Sequence, residues 1–319
     1  MTYNWGIIGP GKIAHTFAEG LRAVPQACLH GVASTSPQRA AKFAARYNAA
    51  KIYASYEELI AAREIDVVYI ATTNNTHYEL ARLCMEHKKA CLCEKPMTLT
   101  VEQCDSLIQL SQQNQTFLME ALWTRFLPSV AAVEQCIQSG KIGKLQSIQV
   151  NFGFEASPEN KRLFLPKLGG GAMFDIGIYP LFLVLLLLGE PHNIEKNIER
   201  NAQNVDIDNV IRFHYQSGAI AGMEVSFTRN LPCTAIIKGS AGCIEMQRMW
   251  HCPCAIHLYA GYDKNSSDYE DITPKYSGNG YNYEIEEVHN CLREKRIESP
   301  RLPLGFSRML VEYIREVNN

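Results

Sequence analysis

From Trp5 to Met119, short apolar runs alternate with helix-like stretches, and that alternation leaves few folds open. Trp5-Gly6-Ile7-Ile8-Gly9, Leu29–Ala33, Asp66–Ala71, Ala90–Cys93 and Thr116–Met119 read as strands. Ile13–Val24, Pro37–Tyr47, Thr76–His87 and Val101–Gln112 read as the helices between them, with Ser36 as an N-cap and Pro37 at the first helical position. Strands this short and this apolar are buried on both faces. That is the condition of a parallel, doubly wound sheet with helices on either side.

After residue 122 the pattern changes. Gln146–Phe154, Val210–Tyr215, Ala219–Phe227 and Thr234–Lys238 alternate like half-exposed strands, with Gly218 and Gly239 at turns. Few helices separate them, so a mostly antiparallel sheet is expected. Ile178–Leu188 is apolar, interrupted by Pro180, and too short to span a bilayer, which makes it a buried helix. Phe306, Met309, Leu310, Tyr313, Ile314 and Val317 share one face of a closing amphipathic helix. The expected fold is α/β: a doubly wound dinucleotide-binding domain over residues 1–122, then an α+β domain over 123–319. The second domain would bind substrate and oligomerise. No helix is visible to cover the second face of its sheet, so a homodimer or higher homo-oligomer through that face is expected.

The formal net charge of −2 gives no basic excess for nucleic acid or an anionic membrane. Met1-Thr2-Tyr3-Asn4-Trp5 runs straight into a strand, without a cationic region ahead of an apolar one. An odd number of cysteines, 11, lies scattered along the chain. Together these imply reduced thiols in the cytoplasm. His251 stands beside Cys252 and Cys254, but one residue between thiols is not zinc spacing, and no metal is expected.

Gly9-Pro10-Gly11-Lys12-Ile13-Ala14 follows the first strand and opens the first helix. Gly9 permits the tight turn, Gly11 admits a pyrophosphate, and small Ala14 lets helix and strand approach. The free N–H groups of the helix start would face the phosphates. A glycine turn that binds nothing is the alternative. No acidic residue occurs from Gly20 to Tyr56, where an NAD enzyme would hold the ribose 2′-hydroxyl. Ser34, Thr35 and Arg39 can instead hydrogen-bond a 2′-phosphate, which points to NADP over NAD.

Two further segments suggest chemistry. Lys95, in Cys93-Glu94-Lys95-Pro96, follows a strand at the edge where α/β sheets bind ligands. Leu168-Gly169-Gly170-Gly171 leads into Asp175 and Tyr179, spaced i, i+4 on an expected helix start and so on one face. A packed tyrosine and a carboxylate serving the helix dipole are the alternatives.

In these segments the chain resembles the glucose–fructose oxidoreductase/inositol dehydrogenase (Gfo/Idh/MocA) family over nearly its full length. The matching stretches are Gly9–Ala14, Ala71–His77, Glu94-Lys95-Pro96 and Gly169–Tyr179. Met119–Phe126 and Asp175–Tyr179 are similar to the branch of dimeric dihydrodiol dehydrogenases and NADP-dependent D-xylose dehydrogenases. Many family members carry histidine at the position of Tyr179; the departure is shared with that branch and points to a tyrosine base. The resemblance implies hydride transfer from a CH–OH group of a sugar, polyol or cyclic trans-diol to NADP. Lys95, Tyr179 and Asp175 would be catalytic. Pro10, Lys12, Ile13, Thr72, Asn74, His77 and Glu94 would join Gly9, Gly11, Ser34, Thr35, Arg39 and Lys95 around the cofactor. Trp123, Arg125 and Phe126 would wall the substrate pocket, with a packed interface core as the alternative. A dinucleotide-binding sugar sensor without turnover is the competing function.

Overall fold

The computed structural model describes residues 2–261 and 268–319. Its contacts divide it into two compact units, Met1–Phe126 with Ser277–Glu312, and Leu127–Tyr276 with Tyr313–Asn319. The sequence reading divides the chain once, at 122/123. The compact units are cut differently, because the segment Ser277–Glu312 packs with the first unit.

The first unit alternates as expected: β1 Tyr3–Ile8, α1 Lys12–Arg22, β2 Ala27–Ala33, α2 Pro37–Tyr47, β3 Lys51–Tyr53, α3 Tyr56–Ala61, β4 Val67–Ile70, α4 Asn74–Glu86, β5 Ala90–Glu94, α5 Val101–Asn114 and β6 Leu118–Ala121. The strands form one parallel sheet in the order β3-β2-β1-β4-β5-β6. Helices on both faces explain why neighbouring strand residues are buried alike. Ile7, Ile8, Val67–Ile70 and Cys91–Cys93 are all fully buried. Strand order reverses between β1 and β4, so the carboxyl ends of these two strands open a crevice suited to a ligand.

The second unit holds α6 Pro128–Gln138, β7 Leu145–Gly153, α7 Lys161–Phe164, α8 Ile178–Leu188, β8 Asn193–Arg200, β9 Asp206–His214, β10 Ile220–Ser226, β11 Ala235–Gly239, β12 Gly242–Met246, β13 Ile256–Ala260 and β14 Glu270–Asp271. Its eight-stranded sheet runs β14-β13-β12-β11-β7-β10-β9-β8 and is antiparallel except for the β7/β10 pair. α8 packs on β7 and β10. The inner face is therefore apolar, with Ile148, Val150, Ile211, Phe213, Met223 and Val225 buried. The outer face shows Gln149, Arg212 and Glu224 to solvent, together with Val210 and Ile220. The stretch Pro166–Leu188 is apolar and long enough to cross a membrane by composition, yet its apolar window is 78% buried in the protein.

After β14 the chain returns to the first unit as α9, Tyr281–Arg293, which packs on α1. The closing helix α10, Leu304–Asn318, buries Leu310, Tyr313, Ile314 and Val317 along the expected face.

Candidate active site

The residues expected around a cofactor all stand just beyond carboxyl ends of the six-stranded sheet. Gly9 follows β1 with φ +81°, and a Cβ there would meet the Thr72 side chain at 2.8 Å and the Ala71 carbonyl at 2.9 Å. Only glycine lets these two turns pass so closely. Gly11 is the N-cap of α1, where a Cβ would meet the Gly9 carbonyl at 3.9 Å, an ordinary contact. No side chain caps this helix and its first turn carries no acid, so its N–H groups and dipole suit a phosphate. Pro10, Lys12 and Ile13 belong to the same turn. The residues present therefore fit a dinucleotide.

Ser34, Thr35 and Arg39 lie together after β2. Ser34 Oγ accepts from the Ser36 N–H at 3.1 Å, and the Ser36 side chain caps α2. The exposed Arg39 guanidinium reaches back to Thr35 Oγ1 at 3.4 Å. Two hydroxyls and a guanidinium thus converge on the strand end.

After β4, Thr76 Oγ1 donates to Thr72 Oγ1 at 2.7 Å. Asn74 begins α4 and is buried. His77 is 1% exposed, with Nδ1 2.8 Å from the Pro96 carbonyl and Nε2 3.3 Å from that of Thr72. Its ring thus ties the turn after β4 to the turn after β5.

Lys95 stands on a turn pinned from both sides by buried carboxyl groups. Glu94 Oε2 accepts the Lys95 N–H at 3.2 Å, and Glu120 Oε1 accepts the Met97 N–H at 2.8 Å. Tyr69 donates to Glu94 Oε1. Burial pushes both carboxyl groups up from the usual range, and the nearby Lys95 cation pulls both down. Glu120 belongs to β6, one residue past the end of the expected strand Thr116–Met119, and no local pattern marks its bond to Met97.

Trp123–Phe126 form a 3₁₀ turn that closes the first segment of the first unit, rather than opening the second. Trp123 stacks on Tyr281 at 4.5 Å. Arg125 Nε donates to the Arg301 carbonyl at 2.7 Å, and the Arg301 guanidinium lies over Phe126 at 5.1 Å. Phe126 is 2% exposed. These contacts hold the three side chains within the first unit.

In the second unit, the helix start expected to carry Asp175 and Tyr179 is not plain α-helix. Met173–Gly177 is a π-helical turn, and α8 follows from Ile178. A Cβ at Gly177 would sit 2.7 Å from Met173 Sδ, one turn back. Asp175 pairs with Arg162 at 2.8 Å, and its N–H donates to the Gly171 carbonyl at 3.0 Å. Tyr179 is 7% exposed and packs against Phe152 at 5.9 Å and His251 at 5.1 Å between ring centres. Arg162 and Phe152 are not among the expected site residues, and His251 is weighed in the sequence only as a metal ligand. No local pattern joins them to Tyr179; the fold does.

Residues 3–122 match the model of an oxidoreductase family with an NAD-binding Rossmann fold, GFO_IDH_MocA. Residues 130–245 match the C-terminal domain model of that family. The chain is 31% identical to trans-1,2-dihydrobenzene-1,2-diol dehydrogenase of Mus musculus, over 99% of this chain and 96% of the mouse protein. In fold it resembles a 3-ketoreductase from Actinomadura kijaniata in complex with NADP, with TM-score 0.87, 21% identity and coverage of 99% and 97%. It also resembles levoglucosan dehydrogenase in complex with NADH and levoglucosan, with TM-score 0.87, 20% identity and coverage of 100% and 97%.

Proposed function

We propose a reaction for this chain, which belongs to the GFO/IDH/MocA oxidoreductase family: transfer of hydride from a CH–OH carbon of a sugar or cyclic trans-diol to NADP. The observation that carries the reading is the seating of Lys95. A lysine at the carboxyl edge of the sheet, on a turn whose Lys95 and Met97 N–H groups are held by the buried carboxyl groups of Glu94 and Glu120, is costly to build and marks a functional position. The full-length likeness to a trans-dihydrodiol dehydrogenase supports the substrate class.

Bound NADP supplies the hydride acceptor at its nicotinamide ring. Tyr179 takes the proton of the substrate hydroxyl in this reading. An unperturbed phenol has a pKa of about 10, so acting near neutrality needs a drop of roughly 3 units, about 4 kcal/mol. The Lys95 cation favours the phenolate and supplies energy of that order in a dry pocket. Asp175 orients the substrate hydroxyl or Lys95. Ser34, Thr35 and Arg39 select NADP, supported by the acid-free turn after β2; structures of this fold occur with either NADP or NADH.

Assembly is part of the proposal. The outer face of the eight-stranded sheet would meet the same face of a second copy. Glu195, Arg212 and Glu224 line a depression there, a mixture of signs able to complement itself across a twofold axis.

The test is a panel of aldoses, polyols and trans-dihydrodiols with each of NADP and NAD, followed by NAD(P)H absorbance. Turnover of a panel member with NADP is expected. Tight NADP binding without turnover of any of them would favour a sensor.

A further inference from the structure

One buried carboxylate anchors the turn that bears Asp175 and Tyr179. Asp206 begins β9 and is 3% exposed. Its Oδ2 accepts the Met173 N–H at 2.8 Å and the Asn209 side-chain amide at 3.0 Å. Its Oδ1 faces Gly171, whose φ is +134°, and a Cβ at Gly171 would stand 2.4 Å from that oxygen. Met173 is the first residue of the π-helical turn, and the Gly171 carbonyl holds the Asp175 N–H. Asp206 therefore touches both ends of the bend that leads to Asp175. Burial pushes its carboxyl up, while the Met173 and Asn209 bonds and the Arg200 charge pull it down. A buried carboxylate that bonds a turn and a neighbouring amide has no packing role that an apolar residue would not fill better.

We propose that Asp206 is a positioning residue: its side chain sets the Gly171–Gly177 turn and thereby aims Asp175 and Tyr179 at the reacting hydroxyl. The inference rests on the reading of Tyr179 as the base. Both hydrogen bonds end on one oxygen of Asp206, so geometry rather than charge is what it contributes. In Asp206→Asn the amide oxygen can take the place of Oδ2 and keep both bonds. In Asp206→Ala the Met173 N–H and the Asn209 amide lose their partner, and the turn is free to relax. A displacement of about 1 Å at a reacting group costs up to about 10²-fold in rate.

The experiment compares Asp206→Asn, Asp206→Ala, Gly171→Ala and Tyr179→Phe with the parent in kcat, KM, NADPH affinity by fluorescence and the pH dependence of kcat/KM. Asp206→Ala is expected to lose about 10²-fold in kcat with NADPH affinity unchanged. Its alkaline rise of activity should move to higher pH, because Tyr179 loses the neighbours that favour its phenolate. Asp206→Asn should stay within about threefold of the parent, with the parent's pH profile. Near-parent kcat and pH profile in folded Asp206→Ala would overturn the proposal, as would an Asn variant as impaired as the Ala variant. If Asp206→Ala fails to fold, Gly171→Ala decides, since it crowds Asp206 from the other side. Loss of kcat with a shifted profile supports the proposal, and parent-like kinetics end it. Tyr179→Phe separates the two ideas. Turnover retained there removes the base itself, whereas turnover lost there but kept in Asp206→Ala removes only the positioning role.

Discussion

The indole N–H of Trp5 donates to Nε2 of His289 across 3.0 Å, joining the first strand to α9. Both side chains are buried, and Tyr3 packs against the imidazole at 4.5 Å. The bond requires an unprotonated Nε2, because a charged ring has no acceptor. Burial, with help from the Arg293 charge, lowers the His289 pKa from 6.5 to about 4.

Acid should therefore loosen this contact. An unfolded histidine titrates near its ordinary value of about 6.5. Between there and about 4 the unfolded chain binds the extra proton and the folded chain does not. The stabilisation is complete above the unfolded value and is lost as pH falls toward the folded one. The full shift sets an upper bound of about 3 kcal/mol, less after solvent screening. Buried Glu94, Glu120 and Glu284, all pushed up by burial, act with the opposite sign. The comparison must then be differential. Urea midpoints should fall more steeply from pH 6.5 to 4 in the parent than in His289→Gln, and parallel curves would refute the assignment.

Arg39→Ala should weaken NADP and leave NAD nearly unchanged. Arg39 is exposed and its side chain bonds Thr35 alone among the described residues, so its removal disturbs little. A charge-assisted hydrogen bond is worth about 1.5–3 kcal/mol, or roughly ten- to a hundredfold in affinity. Titration of parent and variant with both nucleotides measures it. Equal use of NAD and NADP by the parent would show that the strand end does not discriminate.

Light scattering should give a mass of at least twice 35.9 kDa at micromolar concentration. Val210 is 43% exposed and Ile220 38%, both on the outer sheet face beside Arg212 and Glu224. Val210→Asp would place a charge in the middle of that face and should shift the mass toward the monomer. A monomeric parent would remove the assembly proposal.

Legibility of the chain followed burial. β1, β4 and β5 are covered on both faces, so their apolar runs announce them. β3 has three residues, two of them exposed, and leaves no such mark. β8, Asn-Ile-Glu-Lys-Asn-Ile-Glu-Arg, has no fully buried residue, and its two isoleucines stand four apart, an interval that a helix and a strand both accommodate. The cofactor turn was readable because glycines and a missing acid are local features. The supports of the site were not. Glu120 reaches Met97, His77 reaches Pro96 and Asp206 reaches Met173 across 20 or more residues, or nearly so, and no periodicity encodes such meetings. The π-helical turn carries no local mark either, and one of its backbone partners, Asp206, lies 33 residues from Met173.

The proposed chemistry stands or falls on Tyr179 and Lys95. Tyr179→Phe removes one hydroxyl from a residue that is 7% exposed and ring-packed against Phe152 and His251, so the fold should survive. NADP binding should survive too, because the cofactor cradle belongs to the first unit. Turnover should fall by about 10²–10⁴-fold, the usual contribution of a general base. Lys95→Met should reduce turnover to a similar extent and move the alkaline optimum upward, since the phenolate then forms only at higher pH. The double variant should be little worse than either single one, because two residues acting as a unit are not additive. Steady-state rates for the three variants, with NADPH fluorescence as the binding control, decide the matter. If Tyr179→Phe binds NADP and keeps near-parent turnover, Tyr179 is a packed aromatic, and Asp175, paired with Arg162, or His77 is the next base to test.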